Sequence, residues 1–230
     1  MRILLGLFFL GFVTVFLLKY LEFKHSNYKS ASGNGFLKTL FDKGNYGEFL
    51  TFLKLERLKG YNKIMCNLYI PKKDGTTTEI DLLLLSETDI YVFESKNYSG
   101  WIFGDEKNRN WTQTLQNREK NRFYNPIWQN KGHINALSAF LENDHNHLYQ
   151  SYIIFSERCT LKKINITSAN VKVIKRNNLL KQMKNDKTKL NNLLKPDQIE
   201  SIYKKLKNCC LVDDKIKKAH VEQIQVKNNR

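Results

Sequence analysis

The 230-residue chain is poor in proline, with three, in glycine, with eleven, and in cysteine, with four. So few prolines exclude a proline-rich linker protein, and eleven glycines without a repeat exclude a collagen-like rod. Cys66, Cys159, Cys209 and Cys210 show no C-x-x-C spacing and no paired histidine, which argues against a zinc site. They are also too few for a disulfide framework, so reduced thiols are expected. Acidic charge is scarce: 22 Asp and Glu stand against 38 Lys and Arg, a formal net charge of +16. That excess suits a polyanionic partner, nucleic acid or an anionic membrane surface, without choosing between them. What is present in quantity is apolar: 41% hydrophobic and 12% aromatic residues are enough for a core and exclude wholesale disorder.

The most conspicuous apolar run covers residues 3–18, uncharged and bracketed by Arg2 and Lys19. Sixteen helical residues reach roughly 24 Å, short of the ~30 Å hydrocarbon core. Snorkelling of Arg2 and Lys19, with Tyr20 and Leu21 at the interface, closes the gap. The rival reading is a cleavable signal peptide, but its best small-x-small site, Ser30-Ala31-Ser32, lies about a dozen residues beyond the run. An uncleaved transmembrane anchor over residues 1–21, touching the membrane through residues 3–21, is therefore expected. Lys19, Lys24 and Lys29 outweigh Arg2, which places the bulk of a single-pass protein on the cytoplasmic side.

Charge is unevenly spread. Residues 43–157 carry fourteen basic and fourteen acidic groups, whereas residues 158–230 carry nineteen basic and six acidic. Apolar periodicity predicts a helix from about Tyr46 to near Gly60. A strand over residues 64–70 follows, then an antiparallel hairpin of residues 76–85 and 90–96. Leu82 to Leu85 lack polar alternation, as a central strand covered on both faces does. Short strands around residues 101–103 and 111–115 come next, then a helix capped by Asn125 with Pro126 in its first turn. Further strands are expected at 149–155 and 171–174, and a last basic helix from Pro196. The expected organisation is anchor 1–21, juxtamembrane linker 22–42, a charge-balanced, strongly patterned domain 43–157, basic strand and helix extension 158–207, and flexible basic tail 208–230.

The chemistry is concentrated in two segments of that hairpin. On a strand, side chains two apart share a face, so Glu94 and Lys96 project together. Asp81 lies thirteen residues before Glu94, at the start of an otherwise apolar strand, where an ionised carboxylate is costly unless paired or metal-bound. Two carboxylates converging at a sheet rim suit a hard cation such as Mg²⁺ (or Mn²⁺), which polarises a phosphoryl oxygen. A neighbouring lysine offsets charge in the transition state. Against this stands the plain reading of an acid and a lysine alternating on a solvated face. Glu48 can equally be a first-turn acid favoured by the helix dipole. Gln129 and His133 can be packed polar residues on the inner stripe of their helix.

Gly47 with Glu48, then Glu79-Ile80-Asp81, the run from Phe93 to Gly104, and Asn125-Pro126 with Gln129 resemble the nuclease-related domain family, NERD. The resemblance covers roughly residues 43–157 and is most specific over residues 94–104. It implies membership of the PD-(D/E)xK nuclease superfamily, although Ile80 stands where the superfamily name has proline. The fold so implied is α/β, a restriction-endonuclease-like mixed central sheet flanked by helices, here preceded by the transmembrane helix. By the same resemblance Asp81 and Glu94 are metal ligands, Lys96 is the catalytic lysine and Glu48 an added catalytic acid. Asn97, Gln129 and His133 are then the candidates for touching substrate. The expected activity is metal-dependent phosphodiester hydrolysis of DNA or RNA. The alternatives are a catalytically weak nucleic-acid-binding module and a membrane-surface scaffold. The lysines and arginine at 172, 175, 176, 181, 184, 187 and 189 read as a phosphate track, a lipid contact or a solvated surface.

Overall fold

The computed structural model describes residues 2–142, 148–189 and 191–228. The chain folds as an α/β layer structure. Its central sheet has the strand order β1(Asn62–Pro71), β2(Thr77–Ser86), β3(Ile90–Lys96), β7(Tyr149–Phe155), β9(Val171–Lys175). β1, β2 and β3 pair antiparallel, and β7 and β9 add parallel to β3, so the sheet is mixed as expected. Residues Leu82–Leu85 are fully buried, because both faces of this sheet are covered.

One face packs against α5(Pro126–Leu141) and α7(Pro196–Lys207), through Ala136, Leu137, Ile199 and Leu206. The other packs against α4(Lys43–Leu55) and α6(Leu179–Lys189), through Phe49, Phe52, Leu55, Leu179 and Met183. Beyond the ends of β3 and β7 the chain builds a second, four-stranded sheet. Its order is β6(Lys120–Tyr124), β5(Asn110–Thr114), β4(Gly100–Asp105), β8(Cys159–Asn165). Its inner face buries Ile102 and Trp111 against Ile127 of α5 and Phe155 of β7. Trp111 stacks parallel on Phe155 with centroids 6.1 Å apart. A Cβ on Gly104 would lie 2.2 Å from the Trp111 ring, so only glycine fits there.

Several elements depart from the sequence expectation. α1 spans Arg2–His25 rather than stopping at residue 21, and it is long and apolar enough to cross a membrane. Residues 22–42, expected as linker, carry α2(Tyr28–Ser32) and α3(Phe36–Phe41). Phe23 and Tyr28 are buried against Phe49, which turns this stretch into part of the core. β6 and β8 are basic, short strands that apolar patterning does not reveal. The expected frayed tail contains α8(Asp214–Asn228), docked through buried His220, which stacks edge-on against Tyr69. The expected extension supplies β9, α6 and α7 to the central layers. Arg176, counted among the lysines and arginine of a phosphate track, is 1% exposed and bonded to Thr51 and Glu157, so it is a packing residue.

Candidate active site

The β2–β3 ladder runs from Leu85↔Ile90 to Leu82↔Phe93 and stops there. From that point β2 continues beside β1 alone and β3 beside β7 alone, so the two strands part like a fork. Asp81 and Glu94 are the next residues on either side of the opening. The Ser95 amide, released from β2, donates to Asp81 Oδ2 at 2.9 Å.

Asp81 also sits at a break in side-chain alternation. Cys66 and its partner Leu82 enter one core, whereas Leu68 and its partner Ile80 enter the other. Residues two apart on a regular strand share a face. Both strands therefore flip between these rungs, and Asn67, with φ 51°, and Asp81 occupy the flips. The irregularity frees the Asp81 carboxylate to turn along the fork.

Glu94, only 2% exposed, is held on both oxygens. Lys96 Nζ donates to Oε1 at 2.6 Å, and His133 Nε2 lies 3.2 Å from Oε2. Lys96 Nζ also donates to Gln129 Oε1 at 3.1 Å. His133 Nδ1 is 2.7 Å from Thr78 Oγ1, so the ring bridges Thr78 and Glu94. Gln129 and His133 are one helical turn apart on α5 and share a face. Two asparagines place that helix. Asn125 accepts from the Ile127 amide at 2.9 Å and donates to the carbonyls of Asp105, Glu106 and Asn108. Asn130, fully buried, donates to Val92 O and Ser151 Oγ, fixing α5 to β3 and β7.

Glu48 arrives from α4. A Cβ on Gly47 would stand 3.0 Å from Asn97 Cβ and 3.4 Å from Ser95 Oγ, so glycine lets this helix lie close on β3. Glu48 Oε2 is buried with no hydrogen-bond partner. Burial raises the Glu48 pKa well above its ordinary value, and the charges of Asp81, Glu79 and Glu94 add to the rise. Burial and the Glu94 charge push Asp81 up to about 7, against the pull of Lys96, the Ser95 amide and His133. Burial also works to raise Glu94, but Lys96 and His133 outweigh it and hold its pKa below the ordinary value. For Lys96 burial opposes the charge, and the Glu94 and Asp81 carboxylates more than offset it, so its pKa is raised.

The structure thus brings Glu48, Asp81, Glu94, Lys96, Gln129 and His133 to one place. Asn97 stands apart: it donates to Lys43 O and accepts from Arg158, tying β3 to the start of α4. Sequence reading missed Thr78, Asn130 and the Ser95 amide. Thr78 carried no signal because the flip at Asp81 scrambles the strand parity. Asn130 falls beside Gln129 on α5 and could have been suspected as a polar residue on an inner face. Glu79 extends the polar rim, accepting from Tyr69 OH at 2.6 Å with His220 Nε2 3.9 Å away.

Among the described residues no group of three or more His, Cys, Asp or Glu stands arranged to hold a metal ion. Mg²⁺ asks for fewer protein donors than that, taking one or two carboxylates and keeping several waters. The unpartnered Glu48 Oε2 and the mutual repulsion of Glu48, Asp81 and Glu94 are what a bound cation would relieve, so the residues fit one.

Residues 43–156 match the family model described as the nuclease-related domain, NERD. An uncharacterized protein of Bacillus anthracis is 34% identical over 188 residues, which cover 80% of this chain and 85% of that protein. No solved structure matches significantly.

Proposed function

The chain belongs to the nuclease-related domain family, and from that premise we propose that it is a membrane-anchored, metal-dependent nuclease hydrolysing phosphodiester bonds of DNA or RNA. The observation that carries this reading is the fork, which gathers Asp81, Glu94 and Lys96 at the mouth of a buried sheet. Asp81 and Glu94, with Glu48 beside them, would hold Mg²⁺ or Mn²⁺. When bound, that ion supplies Lewis-acid polarisation of a phosphoryl oxygen.

The remaining work falls to the chain's own groups. Lys96 keeps a cationic ammonium where negative charge grows on the phosphorane, and the Gln129 carbonyl aims it. Each oxygen of Glu94 has a second lone pair free while Lys96 and His133 occupy the first. His133 keeps Glu94 ionised and is itself set by Thr78. Asp81, poised near neutrality, is a site where a proton can be held or released.

We place the anchor in α1, whose residues Leu4–His25 form the candidate span. The lysines following it set the nuclease domain on the cytoplasmic side. A second reading, a nuclease-fold module that binds nucleic acid without cutting, is favoured by the satisfaction of both Glu94 oxygens by side chains alone. The deciding experiment is cleavage of labelled DNA and RNA by the full chain in detergent, with Mg²⁺ or Mn²⁺ against chelator. Metal-dependent cutting lost in Glu94→Gln and in Lys96→Ala is expected. Cutting that persists unchanged in both variants overturns the site. Tight binding with no cutting moves the conclusion to the second reading.

A further inference from the structure

The second sheet turns one face inward on Trp111 and leaves the other to solvent. Strand register orders that outer face in two rungs: Trp101–Thr114–Lys120 and Phe103–Thr112–Arg122. Each rung runs from an aromatic ring across a threonine to a cation. Trp101 is 51% exposed, although burial is available to the other tryptophan of this sheet, Trp111 at 1%. Lys162 of β8 stands with Nζ 5.0 Å from the Trp101 ring centroid. The six rung residues line a shallow cavity of about 680 Å³, with two cations and no carboxylate in its lining.

We infer that this outer face is a binding platform for single-stranded nucleic acid, with bases stacking on Trp101 and Phe103 and phosphates meeting Lys120, Arg122 and Lys162. The exposed Trp101 ring and the half-buried Phe103 ring offer π-faces that any unpaired base can stack on, and flanking cations follow the backbone without reading sequence. Bases inside a duplex already stack on one another, so the rings discriminate against it. The cavity has the volume of a site for one small molecular unit, such as a nucleotide. The threonine hydroxyls add donors between ring and cation. β4 begins directly after the link from β3, and Trp101 is five residues beyond Lys96, at most about 18 Å along the chain. A strand lying on the platform is therefore within reach of the fork. The inference deepens the nuclease reading by naming its substrate class, and it rests on that reading only for its catalytic consequence.

The test is binding by the full chain in detergent with chelator present. The probes are fluorescein-labelled oligothymidylate and oligouridylate, with a DNA duplex of equal length as comparison. Both single strands should bind more tightly than the duplex, and a preference between them would report on the 2′-hydroxyl. Trp101→Ala should weaken single-strand binding about tenfold or more, and Trp101→Tyr should recover most of it. Lys120→Ala with Arg122→Ala should flatten the log–log salt slope by about 1.4, roughly 0.7 per phosphate contact. Unchanged single-strand affinity in Trp101→Ala overturns the inference. So does a loss that Trp101→Tyr does not recover, or a salt slope indifferent to the cation pair. Platform-dependent binding by a protein that never cuts leaves the inference standing and removes the nuclease reading. Metal-dependent cutting with binding blind to these substitutions does the reverse.

Discussion

Asp81 sits where a hydrogen bond and a like charge compete. The Ser95 amide at 2.9 Å favours its ionised form, while burial and Glu94 oppose it and move its pKa from 3.8 to about 7. The folded chain thus retains this proton to higher pH than the unfolded chain. Stability from the group is fully present below the unfolded value and is lost as pH rises toward 7. Asp81→Asn keeps an acceptor for the Ser95 amide and removes the charge. In chelator its stability should match the parent near pH 4 and exceed it by about 1 kcal/mol or more near pH 8, each pKa unit being worth about 1.4 kcal/mol. Urea denaturation at several pH values measures this, and a gap that does not widen with pH would sink the account. Adding Mg²⁺ should stabilise the parent and not the variant. This site was legible in part from sequence. Glu94 and Lys96 follow from strand alternation, and Asp81 from the oddity of a carboxylate beginning an apolar strand. The flip at Asn67 and Asp81 was not legible, because it depends on both strands breaking alternation on the same rung.

At the scale of elements, α5 is the part that sets the chemistry, and Asn125 decides where it starts. Its one amide group makes four bonds, one to the Ile127 amide and three to carbonyls of the β4–β5 turn region. Asn125→Ala should cost about 2 kcal/mol or more, from a lost cap and buried carbonyls left unpaired. Asn125→Asp keeps the cap acceptor but faces those carbonyls with a carboxylate, so it should not restore stability. A parent-like midpoint for the aspartate variant in chemical denaturation would show that the cap alone matters. Either change should lower activity beyond its effect on folding, since Gln129 and His133 lie within the first two turns or so of α5. The cap itself was readable, from Asn125 before Pro126. So was the hairpin, whereas the mixed sheet followed only from the family resemblance. β6 and β8 were not readable, since KNRFY and CTLKKIN carry their hydrophobic residues too sparsely to show a period. Such strands are recruited by the register of their neighbours rather than by their own composition.

For the whole molecule, the boundary between the apolar N-terminal helix and the folded body is the question that sequence answered least well. The apolar run suggested that everything from residue 22 to 42 was linker, and its polar composition gave no period to contradict that. The packing shows otherwise. α1 exposes its apolar side chains as far as Leu21, yet Phe23 is 4% exposed and Tyr28 fully buried. Phe23, Tyr28 and Phe49 form mutual ring contacts, and Asn34 donates to Asn45 across to α4, the helix that carries Glu48. Likewise the excess charge of the last third does not mark an appendage, because that segment supplies β9, α6 and α7 to the central layers. A chain beginning at residue 21 should therefore be soluble without detergent and keep the core intact. One beginning at residue 35 removes two buried aromatic side chains, each worth roughly 3–5 kcal/mol in a packed interior. It should unfold at distinctly lower denaturant and lose α4 alignment, and with it the contribution of Glu48. Equal midpoints for the two fragments would mean that α2 and α3 merely tether the domain. A soluble longer fragment with the stability of the full chain would show that the part of α1 before residue 21 adds nothing to the folded body.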